Sequence, residues 1–248
     1  MTDDAGGGRD GDPLRHRIVR QFSDAGERAS VWRGFARFLP TGAYLNIGYS
    51  PWYLPTLVGD SQARLAALLA DGLVDRVGAP GGARLLDVGC GRGGPARQFA
   101  ARGFDVVGVD LVPHNVALAR GTADGGTARH AFLVGDATAL PVREGAVDAC
   151  VAVDAFVYLP DEAAAFAEVA RVLDDGGWFA TADLLADPDA GPAAEAALAA
   201  FADAWDMAPP VPADAYRDRL RTAGFAVDAV RDVTAGSTGR FRTWSRAF

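Results

Sequence analysis

Short apolar runs alternate with helical segments along most of the chain after residue 83. The apolar runs are typical of buried strands, and the segments between them show helical periodicity. Strands that alternate with helices indicate parallel βαβ units with right-handed crossovers, and therefore an open α/β sheet. The five strands predicted in this part of the chain cover 83–89, 104–110, 128–137, 146–155 and 178–185.

The C-terminal part of the sequence breaks this rhythm. A predicted helix over 215–225 is closed by Gly224, and two further strands are expected at 226–234 and 240–248. The short AGSTG linker between them cannot hold a crossover helix, but it allows an antiparallel pair. The pattern therefore predicts a mostly parallel, seven-stranded sheet whose last strand is antiparallel.

Three further regions are expected around this sheet. Residues 1–12 are acidic and rich in glycine, which predicts a disordered tail, and 13–75 are predicted to form an N-terminal helical cap. The sheet domain then covers 76–248, with a lid insertion at about 186–212. Aromatic and other large apolar side chains are frequent in the cap and the insertion, and we expect them to line either a substrate pocket or a core: Trp32, Phe35, Phe38, Trp52, Tyr53, Phe201, Trp205 and Met207.

Composition narrows the classes of partner. The net charge is −8 and the arginines are scattered, which argues against nucleic acid and favours a small-molecule substrate. No apolar segment is long enough to cross a bilayer. The two cysteines, Cys90 and Cys150, are too few for a disulfide framework, so we expect a cytoplasmic protein. We expect no metal, because no cluster of His, Cys and Glu has ligand spacing.

The stretch RLLDVGCGRGG, residues 84–94, carries the clearest chemical signal. Glycines directly after a strand let the backbone approach a ligand closely, and the helix that follows presents free amides. Gly89, Gly91 and Gly94 also satisfy the dinucleotide pattern G-x-G-x-x-G. The glycines alone therefore leave a nicotinamide dinucleotide open.

Carboxylates at the ends of three successive strands change this balance. Asp87 would repel a pyrophosphate but attract an ammonium group. Asp110 can accept both hydroxyls of a ribose, and Asp136 can accept a hydrogen bond from an adenine amino group. The three together fit a cationic nucleoside without phosphate, which is S-adenosylmethionine. An NAD-dependent oxidoreductase is the weaker alternative, because the chain has no Lys for a Tyr-x-x-x-Lys pair.

Five motifs resemble, in order and spacing, those of class I S-adenosylmethionine-dependent methyltransferases: LLDVGCGRGG, VVGVDLVPHNVALAR, GDATALP, DACVAVDAFVYLPD and VARVLDDGGWFATAD. The resemblance covers roughly residues 60–248. The segments YLNIGY and GDSQARL are similar to the subgroup that methylates sugars, polyketides, sterols and quinones. The resemblance implies a Rossmann-like methyltransferase fold and a set of cofactor-binding residues: Asp87, Gly89 and Gly91 for the methionine moiety, Asp110 and Leu111 for the ribose, Asp136 and Ala137 for the adenine, Asp154 facing the site, and Tyr44, Tyr49 and Gln62 closing over it from the cap.

Methyl transfer from a sulfonium needs alignment and exclusion of water, and a hydroxyl acceptor also needs a base. None of the three histidines is well placed for that role. Many relatives carry His where Tyr158 stands in this chain, and Asp183 matches an acidic position that assists catalysis in some of them. We therefore predict Asp183 as base or orienting group and Tyr158 as its hydrogen-bonding partner. Packing for Tyr158 and a turn role for Asp183 are the alternative.

These observations predict S-adenosylmethionine-dependent methyl transfer to a small, largely apolar acceptor, most simply a hydroxyl, in secondary or specialised metabolism. C-methylation of an isoprenoid or quinone stays open, because a carbon nucleophile needs no strong base. A protein that binds the cofactor without methylating also stays open, and so does a homodimer.

Overall fold

The computed structural model describes residues 13–23, 43–50, 58–78, 81–121 and 130–237. In this part of the chain, five parallel strands form one sheet in the order β3-β2-β1-β4-β5. The strands are β1 Arg84–Val88, β2 Asp105–Asp110, β3 His130–Val134, β4 Val147–Val153 and β5 Leu173–Ala182. The chain runs outwards from β1 to β3 and then returns to the other side of β1 with β4. The switch point for ligand binding therefore lies at the carboxyl ends of β1 and β4.

Helices cover both faces of the sheet. The α-helices of the described ranges are α1 Pro13–Phe22, α2 Val58–Val77, α3 Gly94–Ala100, α4 Pro113–Gly121, α5 Glu162–Val172, α6 Pro192–Ala204 and α7 Ala213–Thr222. On one face, α2, α3 and α4 contribute Leu73, Phe99 and Val116 to the core. On the other face, α5 and α7 contribute Phe166 and Tyr216. Among the residues described, no helix is long and apolar enough to cross a membrane.

The burial of β1 explains its continuous apolar sequence. Leu85 points into the core beneath α2 and α3, whereas Leu86 points into the core beneath α5. Successive side chains of a strand face opposite sides, so a strand covered on both faces reads as an unbroken apolar run. The predicted α/β class and its parallel strands are confirmed.

The structure differs from the predicted sheet at two places. Residues 225–233 have no regular secondary structure and lead into a 3-10 turn at Thr234–Gly236, so the predicted sixth strand is not formed. Val230 is 54% exposed, so this apolar side chain of the predicted strand does not enter the core. The other difference is that β5 begins at Leu173, with an irregular register opposite Val147–Ala149. The predicted strand 240–248 lies outside the described residues.

The predicted cap divides into two parts. Helix α2 packs directly on the sheet through Leu65, Ala70 and Leu73, so it belongs to the helical layer of the domain. Helix α1 and residues 43–50 instead lie at the carboxyl edge of the strands, where Phe22 packs near Tyr158. The predicted tail 1–12 and five of the aromatic residues lie outside the described residues: Trp32, Phe35, Phe38, Trp52 and Tyr53.

The insertion at residues 186–212 packs beside the segment that follows the carboxyl end of β4. Ala186 and Pro212 form a parallel bridge that closes the base of the insertion. Met207 and Ala202 are buried against Val157, and Phe201 packs on Trp205 with ring centroids 5.9 Å apart. The large apolar side chains of this insertion therefore form a small core of their own.

Candidate active site

A cavity of about 390 Å³ opens at the carboxyl ends of β1, β2, β3 and β4. Helix α1 and residues 45 and 46 form its outer wall. Eight of the residues predicted for the site line this one cavity: Gly89, Gly91, Asp110, Leu111, Asp136, Ala137, Asp154 and Tyr158.

The loop after β1 approaches its neighbours so closely that glycine is required. Gly89 has φ +73°, and a Cβ atom added there would lie 2.6 Å from the Cβ of Ala155. The N–H groups of Gly89 and Cys90 both donate to the carbonyl of Val109, at 2.8 and 3.1 Å. The loop is therefore held flat against the end of β2, which leaves the space above it for a ligand.

Asp110 connects this loop to β2 and to the start of α4. Its Oδ2 accepts the Gly91 N–H at 2.9 Å, and its Oδ1 accepts the Val112 N–H at 2.8 Å. Asn115 adds a side-chain hydrogen bond of 3.3 Å to Oδ1. Burial raises the pKa of Asp110, and these hydrogen bonds oppose the rise.

Asp87 lies directly beneath the loop and is fully buried. Neither of its carboxylate oxygens has a hydrogen bond of normal geometry within the described structure. Burial, and then the charge of Asp110, raises the pKa of Asp87 to about 7, although the Ala96 N–H opposes this rise. A buried carboxylate whose ionised form is so weakly compensated favours a cation nearby, so the site fits the ammonium and sulfonium charges of S-adenosylmethionine.

Helix α1 contacts the carboxylate of Asp136, shortly after the end of β3. Arg15 Nη1 lies 2.5 Å from Asp136 Oδ2, and Asp136 Oδ1 accepts the N–H and the hydroxyl of Thr138, both at 2.9 Å. Ala137 lines the cavity beside it. An adenine amino group that reached Asp136 would have to share the carboxylate with Arg15 or displace it.

The end of β4 carries a strained acid. Asp154 has φ +56°, a left-handed conformation that is uncommon for a residue other than glycine. Its Oδ2 accepts the Ile47 N–H at 2.9 Å. Burial raises the pKa of Asp154 to about 6, and the Ile47 hydrogen bond opposes that rise. At neutral pH this carboxylate is mostly ionised and lines the cavity.

Tyr158 lines the same end of the cavity, in the 3-10 turn Phe156–Tyr158. Its ring meets Phe22 of α1 edge to face, with centroids 5.4 Å apart. Burial, and then the charges of Asp154 and Asp183, raises the pKa of its phenol. The hydroxyl therefore stays protonated and can donate a hydrogen bond.

Asp183, which was predicted as base or orienting group, accepts hydrogen bonds from three neighbouring groups. It does not line the cavity, and its carboxylate accepts the Tyr216 hydroxyl at 2.7 Å and the Thr181 hydroxyl at 2.9 Å. Its Oδ1 accepts the Phe156 N–H at 3.2 Å, at the start of the turn that carries Tyr158. Burial raises the pKa of Asp183 to about 7; the Tyr216 hydrogen bond opposes this rise and the charge of Asp154 adds to it.

The three residues predicted to close over the cofactor brace the segment 43–50 instead of lining the cavity. The Tyr44 hydroxyl accepts a hydrogen bond from Gln98 at 2.9 Å, and the ring of Tyr49 packs against Gly236. Gln62 donates to the Asn46 carbonyl at 2.6 Å. These contacts differ from the prediction because they depend on a segment whose path the sequence does not specify.

Two parts of the cavity lining were not predicted from the sequence: the inner face of α1, and two residues between Tyr44 and Tyr49. Arg15, Ile18 and Phe22 line the cavity from α1, and Leu45 and Asn46 line it from the segment 43–50. The spacing of Ile18 and Phe22 was a usable signal, because residues four apart share one face of a helix.

The three-layer fold and a glycine loop between strand-end acids define a Rossmann-like nucleoside-binding enzyme. Residues 86–181 match the family described as methyltransferase domain. The O-methyltransferase rstn1 of Aspergillus nomiae is 31% identical over 203 residues, which are 80% of this chain and 88% of that protein. The chain belongs to the class I S-adenosylmethionine-dependent methyltransferases that act on small molecules, and S-adenosylmethionine is its cofactor.

Two solved structures are similar over most of the chain. The 4+2 cyclase SpnF is 26% identical with a TM-score of 0.66, covering 79% of this chain and 68% of that one. Geranyl diphosphate C-methyltransferase from Streptomyces coelicolor, in complex with S-adenosyl-L-homocysteine, is 19% identical with a TM-score of 0.74 and covers 95% of this chain and 88% of that one. At that identity the second likeness shows the fold alone.

Proposed function

We propose that this methyltransferase acts on a hydroxyl group of a small, largely apolar acceptor. The observation that carries the proposal is the shared cavity, which is lined both by the glycine loop with Asp110 and by Asp154 and Tyr158. One bound sulfonium supplies an activated methyl group. What remains for the chain is to align the acceptor, exclude water and handle the acceptor proton.

Asp154 is the residue we assign to the acceptor proton. The pKa of its carboxyl is about 6, below neutral pH, and the side chain faces the cavity, where a proton acceptor must lie within hydrogen-bond reach of the hydroxyl. The Tyr158 hydroxyl stays protonated, so its part is to donate a hydrogen bond that orients the acceptor oxygen. For Asp183 we propose the orienting role, which is supported by the hydrogen bond that its carboxylate accepts from the Phe156 N–H at the start of the turn that carries Tyr158.

The character of the acceptor follows from the wall that faces Tyr158. Apolar side chains dominate this wall: Ile18, Phe22, Leu45, Val112, Phe156 and Leu159. Burial of apolar ligand surface against such side chains contributes about 25 cal/mol per Å². We therefore propose a lipophilic acceptor, with the hydroxyl as its polar end. The O-methyltransferase activity named for the Aspergillus nomiae relative supports a hydroxyl as the group that is methylated.

Two other functions have specific support. Relatives named as sterol C-methyltransferases, which are 33% and 34% identical over about half of the chain, support methylation of carbon, in which Asp154 would accept a proton from the cationic intermediate. The likeness to the cyclase SpnF supports a protein that binds the cofactor and uses the cavity for another reaction. The atom that receives the methyl group distinguishes C-methylation from O-methylation. Absence of any methyl transfer identifies a protein that uses the cavity for another reaction.

The test uses S-adenosylmethionine labelled in its methyl group and a panel of alkylphenols, hydroquinones and isoprenoid alcohols. Label on the oxygen of a product supports the proposal, and label on carbon supports C-methylation. Tight binding of S-adenosylhomocysteine together with no labelled product from any acceptor would overturn both.

We further propose that the enzyme works in a reducing cytoplasm, which is supported by its two buried, free cysteines. The homodimer stays a prediction, which size-exclusion chromatography with light scattering tests.

A further inference from the structure

The carboxylate of Asp154 depends on a segment that is distant in sequence. The Ile47 N–H donates to its Oδ2 at 2.9 Å, across 107 residues of chain. A hydrogen bond to the ionised form favours that form, and it also fixes the direction of the carboxylate. Among the described residues, the other titratable groups that interact with Asp154 are Asp183 after β5 and Tyr158 in the 3-10 turn.

Two buried amide side chains hold this segment on α2. Gln62 Nε2 donates to the Asn46 carbonyl at 2.6 Å, and Asn46 Nδ2 donates to the Gln62 carbonyl at 3.3 Å. Asn46 Oδ1 also accepts the Gly48 N–H at 2.9 Å, which shapes the turn around Ile47. We call Asn46 and Gln62 the amide clamp; both side chains are at least nine-tenths buried.

Two further contacts with α2 restrict the position of the segment. The Tyr49 N–H donates to the Ser61 carbonyl at 2.7 Å. Gly48 has φ +79°, and a Cβ atom there would lie 2.5 Å from the Ser61 hydroxyl. Since Ile47 lies between Asn46 and Gly48, these contacts determine where its N–H points.

We propose that Asn46 and Gln62 are positioning residues of the active site, which hold the Ile47 N–H on the Asp154 carboxylate and thereby direct its second oxygen into the cavity. This inference rests on the proposed function for the role of Asp154. Gln62 was predicted to contact the cofactor. The inference instead gives it an indirect role, in which it holds the backbone at Asn46, next to Ile47.

The test is a titration of Asp154 in the complex with S-adenosylhomocysteine. Protein labelled with ¹³C at the aspartate carboxyl carbons is followed by NMR, and the Asp154 signal is identified by its absence in Asp154→Asn. Gln62→Met removes the donor and keeps the length of the side chain. We expect the midpoint of Asp154 to move upward by roughly half a unit to one unit, because the ionised form loses a hydrogen bond.

Gln98→Met is the matched control. Gln98 Nε2 donates to the Tyr44 hydroxyl at 2.9 Å, so this variant also removes an amide contact between a helix and the segment, but at the far side from Ile47. We expect no shift of the Asp154 midpoint there. If Gln62→Met does not fold, Gln62→Asn keeps an amide of shorter reach and should shift the midpoint in the same direction.

An unchanged Asp154 midpoint in both Gln62 variants, with thermal stability lowered as in Gln98→Met, would overturn the inference and leave the clamp a purely structural feature. The titration needs no acceptor. A failure of methyl transfer on every acceptor therefore counts against the proposed function and leaves this result intact.

Discussion

Arg15 of α1 lies 2.5 Å from Asp136 at the end of β3, so a helix near the start of the chain holds the carboxylate that the sequence assigns to adenine. Both side chains are mostly buried, with 26% and 19% of their surfaces exposed. Arg15 and Asp136 both line the cavity, and so do Tyr158 and Phe22, which lies two helical turns further along α1 and packs on the Tyr158 ring. Helix α1 therefore contacts both the end of β3 and the 3-10 turn that carries Tyr158.

Replacing Arg15 should make cofactor binding tighter. In Arg15→Ala, Asp136 Oδ2 is free to accept the adenine amino group without displacing a guanidinium. Because partly exposed ion pairs are worth about 1 kcal/mol or less, we expect an affinity for S-adenosylhomocysteine roughly two- to fivefold higher by calorimetry.

Arg17→Ala is the control for this change, since Arg17 pairs with Asp206 at 3.1 Å and does not touch the adenine side. Its affinity for S-adenosylhomocysteine should match that of the parent protein. Weaker binding in Arg15→Ala alone would show that Arg15 itself contacts the cofactor.

Replacing Asp87 should stabilise the cofactor-free protein at high pH. The pKa of Asp87 is raised to about 7 from an ordinary value of 3.8, so the folded state disfavours the ionised form. The stability that this group contributes is fully present below its ordinary pKa and is lost as the pH rises through about 7. Asp87→Asn should therefore gain on the order of 1–3 kcal/mol at pH 8 and much less at pH 5.

Urea unfolding at the two pH values measures this gain, and calorimetry should show weaker cofactor binding in the same variant. Asp214→Asn, which removes an exposed carboxylate paired with Arg217, should leave both quantities unchanged. A loss of stability in Asp87→Asn at pH 8 would contradict the prediction.

The strand-end acids could be predicted because their meeting point depends only on topology. Asp110 ends β2, Asp136 and Asp154 come shortly after β3 and β4, and the carboxyl ends of parallel strands share one edge. Asp87, the remaining strand-end acid, is buried in β1 and does not line the cavity. Alternation of strands with helices was enough to place the other three in one cavity. No knowledge of side-chain packing was needed.

Partners that come from distant helices could not be predicted. Asp183 also follows a strand, yet it is turned away from the cavity by the Tyr216 hydroxyl of α7, 33 residues further on. Gln62 had the right type for a cofactor contact, but a carbonyl at Asn46 takes its donor. In both cases a tertiary contact satisfies a polar group that the sequence leaves free.

Asp154→Asn should slow methyl transfer with little change in cofactor binding. Asn is nearly the same shape and tolerates the left-handed backbone at φ +56°, so the fold at this position should be kept. The amide cannot take the acceptor proton, and loss of such a group costs roughly 10²- to 10⁴-fold in kcat.

The parent enzyme should lose kcat as the pH falls through about 6, because protonation of Asp154 removes the base. This acidic limb should be absent from the residual activity of Asp154→Asn. A variant with parental kcat, measured on an acceptor identified with the labelled cofactor, would exclude Asp154 as the base.

The last prediction separates backbone strain from close packing in the glycine loop. Gly78 and Gly89 have similar left-handed conformations, with φ +80° and +73°, but only Gly89 has a neighbour within the reach of a Cβ atom. Gly78→Ala should cost about 1 kcal/mol and leave cofactor binding unchanged. Gly89→Ala adds a 2.6 Å clash with Ala155, so we expect a total cost of roughly 2–4 kcal/mol and at least tenfold weaker S-adenosylhomocysteine binding.

A second substitution tests the cause of that loss. Ala155→Gly removes the Cβ atom that the new methyl group would meet, so the double variant Gly89→Ala with Ala155→Gly should recover most of the lost affinity while it keeps the strain. Thermal unfolding and calorimetry on the two single variants and the double variant give the coupling between the sites. Additive effects would show that the backbone conformation alone makes glycine necessary at this end of β1, whereas recovery shows that the loop must lie against β4 for the cofactor to bind.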